Sequence, residues 1–258
     1  AGASGAAGLL AALSPQFVQA RQVEPDDARL ATSRPRFESP KGYGEAGGYL
    51  VRPTAETGPL PLVLVVHENR GLNPHIEDVA RRVALAGYLA FAPDALLPIG
   101  GYPGDEDAAR AKFQTLDQAK TRQDMLAAAR WLQGHALGNR RLGVVGFCYG
   151  GAIANFLATQ LPDLQAAAPF YGGAPDVAEV PAIKAELLVV LAADDPRVNA
   201  SWPGYQAALE AAGTDYTLLQ PGGTVHGFHN DTTPRYDEDA ARLAWDATLD
   251  LFERRLKG

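Results

Sequence analysis

The sequence predicts an α/β fold in which a mainly parallel sheet is flanked by helices. Short apolar runs alternate along the chain with segments of helical periodicity, which is typical of strands joined by helical crossovers. The strongest run, residues 62–66, is LVLVV and has no polar position, as expected for a strand covered on both faces. The chain has 258 residues, 47% of them hydrophobic and 21% charged, so it can bury one large core.

In the first half of the chain, hydrophobic periodicity and turn residues define the elements. The predicted elements are an edge strand at 48–52, a buried strand at 62–66, a helix at 76–86, a strand at 88–92 and a helical region in two pieces at 105–133. Gly87 directly follows the apolar pattern of the first helix, and glycine often ends helices. Pro93 stops the next strand because proline has no N–H for a ladder hydrogen bond.

The second half of the chain continues this alternation. The predicted elements are a strand at 141–145, a helix at 152–158, strands at 166–171 and 187–192, a helix near 202–212, a strand at 216–220 and an amphipathic helix at 236–256. Because strands alternate with helices, we expect right-handed crossovers. The carboxyl ends of the strands should then collect the functional groups at one edge of the sheet.

Residues 1–45 are predicted to be an N-terminal extension and linker, followed by one domain at residues 46–258. Residues 21–45 are polar and contain three prolines. Residues 1–20 are small and apolar, and two interpretations stay open: part of a secretory signal, or an arm packed on the domain. The run is too short to cross a bilayer, and the compartment stays open between periplasmic or secreted and cytoplasmic.

Composition and charge disfavour several functional classes. The formal net charge is −7, which disfavours a nucleic-acid surface. One cysteine excludes an intrachain disulfide and a multi-cysteine metal site, and the five histidines include no His-x-x-x-His pair. We therefore expect a small-molecule substrate, no nucleic acid, no metal and no organic cofactor, in a monomer or homodimer.

Cys148, the only cysteine, lies between a predicted strand and a predicted helix in the run GFCYGG at 146–151. This is the spacing of a nucleophile elbow, with cysteine where serine usually stands. Glycines at 146 and 150 suit a turn in which neighbouring positions have no room for a Cβ, and a helix N-terminus favours a thiolate. A buried, inert cysteine is the alternative, but the strand and helix flanks favour a nucleophile.

Two further candidate groups follow predicted strands, in the chain order of α/β hydrolases. Asp194 and Asp195 come after the strand at 187–192, and His226 comes after the last predicted strand. An imidazole would take the proton of the thiol, and a carboxylate would fix the imidazole tautomer. Spacing does not separate the two aspartates, although Pro196 slightly favours Asp195 as the triad acid.

The loop after the first buried strand, HENRG at 67–71, is predicted to supply an oxyanion amide at Asn69, beside that of Tyr149. Glu68 is unusual in this loop because a carboxylate near the cleft disfavours a free thiolate unless it is paired. Arg70 is a candidate partner for it. An ordinary solvated loop acid is the alternative interpretation of Glu68.

These residues together resemble the dienelactone hydrolase family, the carboxymethylenebutenolidases. The matching runs lie at 67–88, 92–94, 146–151, 170–173 and 226–245, together with the Asp195 loop, and GFCYGG combined with HGFHND is specific. The resemblance implies an α/β-hydrolase fold and a Cys–His–Asp triad at Cys148, His226 and Asp195. It also implies that Glu68 contacts the thiol at rest and helps to activate it when substrate arrives.

One position departs from the family pattern. Studied members bind the substrate carboxylate with arginines, one of them four positions after the catalytic histidine, where this chain has Asn230. Arg110 is a candidate for the other arginine, so Arg70, Asn230 and Arg110 are the candidate substrate-binding residues. The expected function is hydrolysis of a carboxylic ester or lactone other than dienelactone through an acyl-enzyme. The alternatives are acyl-transferase or thioesterase-like use of the same site, and a non-catalytic binding protein of this fold.

Overall fold

The computed structural model describes residues 21–258 and shows a nine-stranded sheet with helices on both faces. The strands are β1 Leu30–Ser33, β2 Arg36–Ser39, β3 Gly44–Pro53, β4 Leu60–Val66, β5 Leu89–Pro93, β6 Gly138–Phe147, β7 Ala166–Phe170, β8 Glu186–Val190 and β9 Tyr216–Leu219. The helices are α1 Pro74–Leu85, α2 Glu106–Gln114, α3 Gln118–Gln133, α4 Tyr149–Gln160, α5 Pro196–Asn199, α6 Trp202–Ala212 and α7 Glu238–Phe252.

The sheet is mainly parallel, as the sequence predicts. Its strand order is β1-β3-β5-β4-β6-β7-β8-β9, and β2 also pairs with β3. All neighbours from β5 to β9 run parallel, whereas β3 is antiparallel to each of its three partners. The carboxyl ends of β4, β6, β8 and β9 therefore meet at one edge of the sheet.

The N-terminal side of the sheet differs from the sequence prediction. Residues 30–39, which the sequence predicts to lie in a linker, form β1 and β2 instead. Both strands pair with β3, so β3 lies inside the sheet and the prediction of an edge strand there is wrong. Two four-residue polar strands have little periodicity of their own, and they form because β3 exposes unpaired backbone groups. The two interpretations of residues 1–20 concern a segment outside the described residues.

The core has two layers, one on each face of the sheet, which explains why β4 has no polar position. Leu62, Leu64 and Val66 of β4 belong to the layer that α3 and α4 cover. Val63 and Val65 point to the other layer, which α1 and α7 cover. Alternate side chains of one strand thus enter different apolar layers, and periodicity of two residues disappears from the sequence.

Helix starts are specified locally by side-chain caps. Asn73 accepts a hydrogen bond from the Ile76 N–H at the start of α1, and Asp237 caps α7 in the same way through the Ala240 N–H. Each such cap stabilises a helix by about 1 kcal/mol. Among the helices of residues 21–258, none is both long and apolar enough to cross a membrane.

Candidate active site

Cys148 lies in a sharp turn between β6, which ends at Phe147, and α4, which begins at Tyr149. Its φ of 57° and ψ of −114° place a non-glycine residue in a strained region, which costs about 1–3 kcal/mol. The turn is held by close backbone approach: a Cβ built at Gly146 would lie 1.9 Å from the Gly150 carbonyl oxygen, and one at Gly150 would lie 2.1 Å from that of Val66. Glycine is therefore required at both positions.

The structure brings Cys148, His226 and Asp195 together in hydrogen-bonding order. The Cys148 Sγ lies 3.1 Å from His226 Nε2, and His226 Nδ1 lies 2.6 Å from Asp195 Oδ2. When the carboxylate is ionised it can only accept, so Nδ1 carries the proton and Nε2 faces the thiol as an acceptor. Asp195 is buried, whereas the His226 side chain is 25% exposed.

A backbone pairing decides which aspartate meets the histidine. Asp194 and Val225 form a parallel bridge, and the Asp194 N–H donates to the Thr224 carbonyl at 2.9 Å. The next residue on each side of this bridge is Asp195 and His226, so their side chains lie next to each other. Asp194 is exposed, and the choice that spacing left open falls on Asp195.

Tyr171 supports the histidine and was not singled out from the sequence. It directly follows β7, it is buried, and its ring centroid lies 5.0 Å from that of His226. Tyr171 has a φ of +36°, so it is the second non-glycine residue beside the site with a strained backbone. The sequence could have indicated Tyr171 because it lies in the run FYGG at 170–173, at the end of a strand that neighbours β6.

His67 organises the loop after β4 from a fully buried position. Its Nε2 accepts from the Ala95 N–H at 3.0 Å. A backbone N–H can only donate, so the ring proton is on Nδ1 and is donated to the Glu68 carbonyl oxygen at 2.6 Å. Burial lowers the pKa of His67, which keeps the ring neutral in this role. The ring therefore links the start of the Glu68–Asn69 segment to the end of β5.

Glu68 is buried in the site, and its carboxylate is bound by Asn230. The Asn230 Nδ2 donates to Glu68 Oε1 at 2.7 Å, and Asn230 Oδ1 accepts from the Thr232 N–H at 2.9 Å. The amide of Asn230 is thus engaged inside the protein, which differs from the substrate-binding role expected at this position. The hydrogen-bond partner of the Cys148 thiol is His226, whereas the resemblance implies a contact with Glu68 at rest.

The other two candidate substrate-binding residues, Arg70 and Arg110, differ from each other in their surroundings. The Arg70 Nε lies 3.3 Å from Glu106 Oε2, and its Nη1 donates to the Asn69 side chain at 3.1 Å. Arg110 is exposed on α2. A substrate-binding role for these two arginines, and the pairing of Arg70 with Glu68, stay predictions, as do the oxyanion amides of Asn69 and Tyr149.

The thiol is protonated at rest, in contrast to the tendency expected at a helix N-terminus. Burial, followed by the negative charge of Glu68, raises the pKa of Cys148 to about 11. The Tyr149 backbone N–H acts in the expected direction but is outweighed. Arg197 and Arg235, two exposed arginines that the sequence analysis did not single out, also lower this pKa. Arg197 could have been noticed because it comes two residues after Asp195.

Among residues 21–258, no group of three or more His, Cys, Asp and Glu side chains is placed to hold a metal ion.

Comparisons with known proteins show which family this chain belongs to. The sequence model of the dienelactone hydrolase family matches residues 46–256. A Synechocystis protein provisionally named a carboxymethylenebutenolidase is 32% identical over 233 residues, and the match covers 83% of this chain and 93% of that protein. A provisionally named hydrolase fragment of Escherichia coli K12, YghX, is 53% identical over 105 residues, covering 41% of this chain and 90% of the fragment.

Among solved structures, that of a provisionally named dienelactone hydrolase from Klebsiella pneumoniae is similar to this chain with a TM-score of 0.75 and 28% identity. The similarity covers 87% of this chain and 99% of the Klebsiella chain. The α/β-hydrolase fold that the sequence predicts is thereby confirmed.

Proposed function

Because this chain belongs to the dienelactone hydrolase family, and is therefore a hydrolase of esters or lactones, we propose that it cleaves its substrate through a triad of Cys148, His226 and Asp195. The observation that carries this proposal is the continuous contact from Cys148 Sγ to His226 Nε2 at 3.1 Å and from His226 Nδ1 to Asp195 Oδ2 at 2.6 Å. Nucleophile, base and orienting acid are each within reach of the next.

In the first step, His226 Nε2 takes the proton of the thiol as Cys148 Sγ attacks the carbonyl carbon of the ester or lactone. The carbonyl oxygen becomes an oxyanion, which the backbone N–H groups of Tyr149 and Asn69 stabilise. Asp195 accepts a hydrogen bond from Nδ1 and stabilises the imidazolium that forms. A thiol with a pKa of about 11 is almost entirely protonated at neutral pH, so proton transfer to His226 has to accompany the attack.

In the second step, the carbonyl forms again and the bond to the alkoxy oxygen breaks, while imidazolium Nε2–H gives its proton to that oxygen. The product is a thioester on Cys148, with the alcohol released, or still tethered if the substrate was a lactone. Water then attacks the thioester and transfers a proton to His226, and the thiolate leaves and is protonated again. The net reaction adds one water to the ester and needs no oxidant or reductant.

The decisive experiment compares wild type, Cys148→Ala and Cys148→Ser on a panel of p-nitrophenyl esters and lactones. Loss of the nucleophile should reduce kcat on the order of 10³-fold or more. Mass spectrometry of the quenched wild type should show an acyl group on Cys148. Full turnover by Cys148→Ala would contradict the proposal.

Acyl transfer and thioesterase-like chemistry would use the same acyl-enzyme, so product analysis separates them from hydrolysis. With added alcohols or thiols, a hydrolase should yield mainly the free acid, whereas a transferase should yield the new ester or thioester. A non-catalytic binding protein would form no acyl-enzyme with any of these electrophiles.

A further inference from the structure

The amide of Asn230 has a fixed orientation between two neighbours. Its Oδ1 accepts from both the backbone N–H of Thr232, at 2.9 Å, and the Thr232 hydroxyl, at 2.5 Å. A backbone N–H cannot accept, so the oxygen side of the amide has to face Thr232. The NH₂ side then faces Glu68, whose Oε1 lies 2.7 Å away. A turn within the histidine loop thus presents a donor to this carboxylate.

This contact ties Glu68 to the loop that carries His226. Glu68 and Asn230 are both buried, and they are 162 residues apart in the chain. The backbone of Glu68 is held separately, because its carbonyl oxygen accepts from the ring of His67 at 2.6 Å. Glu68 is therefore held both at its backbone and at its carboxylate, and the thiol of Cys148 has His226 as its hydrogen-bond partner.

Asn230 holds the charge of Glu68 without neutralising it. The charged and titratable groups that affect the thiol are Glu68, which disfavours the thiolate, and Arg197 and Arg235, which favour it. His226 contacts the thiol directly, and the buried hydroxyl of Tyr171 lies close enough to both Glu68 and Cys148 to be affected by their charges. Where the carboxylate of Glu68 points therefore matters for the thiol.

We propose that Asn230 is a positioning residue that holds the Glu68 carboxylate on the histidine loop, so that the Cys148 thiol faces His226 before any substrate binds. The inference rests on the proposed nucleophilic role of Cys148. It differs from what the family resemblance implies, namely a thiol held by the acid at rest and released when substrate arrives. Asn230 acts through Glu68 and is not a ligand for the substrate.

A consequence is that the thiol reacts with a small neutral electrophile without any substrate, in a manner that depends on residue 230. Without the Asn230 amide, the Cys148 S–H becomes an available donor to the Glu68 carboxylate. A thiol that donates to a carboxylate is harder to deprotonate and is no longer directed at His226. The rate of alkylation should then fall at neutral pH and recover only at higher pH.

The test measures the rate of alkylation by iodoacetamide from pH 6 to pH 10 in wild type, Asn230→Leu and Asn230→Asp. Leucine removes the donor at similar volume, and aspartate replaces it with a second acceptor. We expect alkylation at pH 7 to slow about tenfold in both, with the profile displaced upward by about one pH unit. If Asn230→Leu does not fold, the Asp variant, which nearly preserves shape, decides the question.

A double-mutant cycle shows whether Asn230 acts through Glu68. In the Glu68→Gln background the carboxylate is gone, so Asn230→Leu should change alkylation less than twofold. The matched control is Asp231→Asn, because Asp231 anchors the same loop to Arg82 at 3.0 Å without touching Glu68. It should lower Tm and leave the alkylation profile unchanged.

Three results would overturn the proposal. The first is that Asn230→Leu has the same alkylation profile as wild type. The second is that Asn230→Leu slows alkylation just as much in the Glu68→Gln background. The third is that Asp231→Asn displaces the pH profile of alkylation as far as Asn230→Leu does. If Asn230 instead bound the substrate, Asn230→Leu would raise KM and leave the rate of alkylation unchanged. Because alkylation is read without turnover, failure here is distinguishable from failure of the proposed hydrolysis, which Cys148→Ala tests.

Discussion

The two halves of the active site are held in place by different forces. The elbow around Cys148 is held by backbone packed against backbone, with Gly146 and Gly150 in contact with carbonyl oxygens that leave no room for a methyl group. The histidine loop, residues 226–236, is held by polar side chains. Asn230 binds Glu68, and Asp231 binds Arg82 and Gln22, each at 3.0 Å or less.

The two halves should therefore tolerate different perturbations. Steric contact between main-chain atoms does not change with pH or salt, so the elbow should be sensitive to added volume and insensitive to solution conditions. The histidine loop is held by hydrogen bonds and ion pairs, so it should be sensitive to pH and salt and less sensitive to added volume. The proposed nucleophile, Cys148, is therefore on the more rigid half, and the proposed base, His226, is on the half whose supporting groups can be titrated.

The steric character of the elbow is tested by Gly150→Ala, which has the largest expected effect on stability. The new Cβ would lie 2.1 Å from the Val66 carbonyl oxygen, and α4 or β4 would have to move. We expect a loss of about 4 kcal/mol in the free energy of unfolding, measured by urea denaturation, together with loss of alkylation at Cys148.

The matched control is Gly204→Ala, on α6, where a built Cβ has no atom within 4 Å. Alanine favours helix over glycine by up to about 1 kcal/mol, so this variant should be as stable as wild type or more stable. Equal stabilities for the two variants would mean that the elbow can relax, and the contrast between the halves would be lost.

The polar character of the histidine loop is tested by acid. Burial alone would raise the pKa of Asp231, but His75, Arg82 and Gln22 together hold it well below its usual value. A carboxyl with a depressed pKa stabilises the fold at neutral pH, and that contribution disappears as pH falls below about 4 towards the folded-state value. Asp231→Asn should lose about 2 kcal/mol at pH 7.

The measurement is Tm of wild type and Asp231→Asn from pH 7 down to pH 3. The gap between the two proteins should be widest at pH 7 and should narrow as the wild type loses its advantage in acid. A gap that stays constant over this range would show that Asp231 supports the loop by shape, as glycine supports the elbow, and not by charge.

The smallest expected effect concerns the charge that the histidine loop adds at the thiol. Arg235 favours the thiolate of Cys148, and it is exposed, so solvent screens its influence. Arg235→Ala should slow alkylation at pH 7 about threefold at low salt and by less at 0.5 M salt. The control is Arg242→Ala. Arg242 is also exposed, lies on α7 and pairs with Asp239, so its removal should leave the rate of alkylation unchanged. A salt-independent effect of Arg235→Ala would indicate a packing role.

Much of the fold and the core of the site could be predicted from the sequence because their determinants are local. The run GFCYGG contains the proposed nucleophile and the glycines that its turn requires, and the apolar run at 62–66 identifies a strand covered on both faces. The order of Cys148, the aspartates and His226 along the chain follows from strands that end at one edge. The first two signals are carried by neighbours in sequence and the third by chain order, so a single sequence reveals all three.

Other features depended on groups far apart in the chain. β1 and β2 exist only because β3 offers them an edge, and their own residues show no strong pattern. Asp195 rather than Asp194 meets His226 because Asp194 forms a backbone bridge with Val225. The helix N-terminus favours a thiolate by itself, but burial and Glu68 raise the pKa of Cys148 to about 11.

The α/β architecture, the elbow and the residue types proposed for the chemistry follow from the amino-acid sequence alone, because hydrophobic periodicity and glycine positions are local and chain order is read directly along the sequence. Three features depend on the folded chain: Asp195 is the aspartate that meets His226, Asn230 binds Glu68, and the resting thiol is protonated. Hydrogen-bond partners and pKa values depend on distances between residues that lie 31 to 162 positions apart in these contacts. Those distances exist only once the sheet has brought its strand ends together.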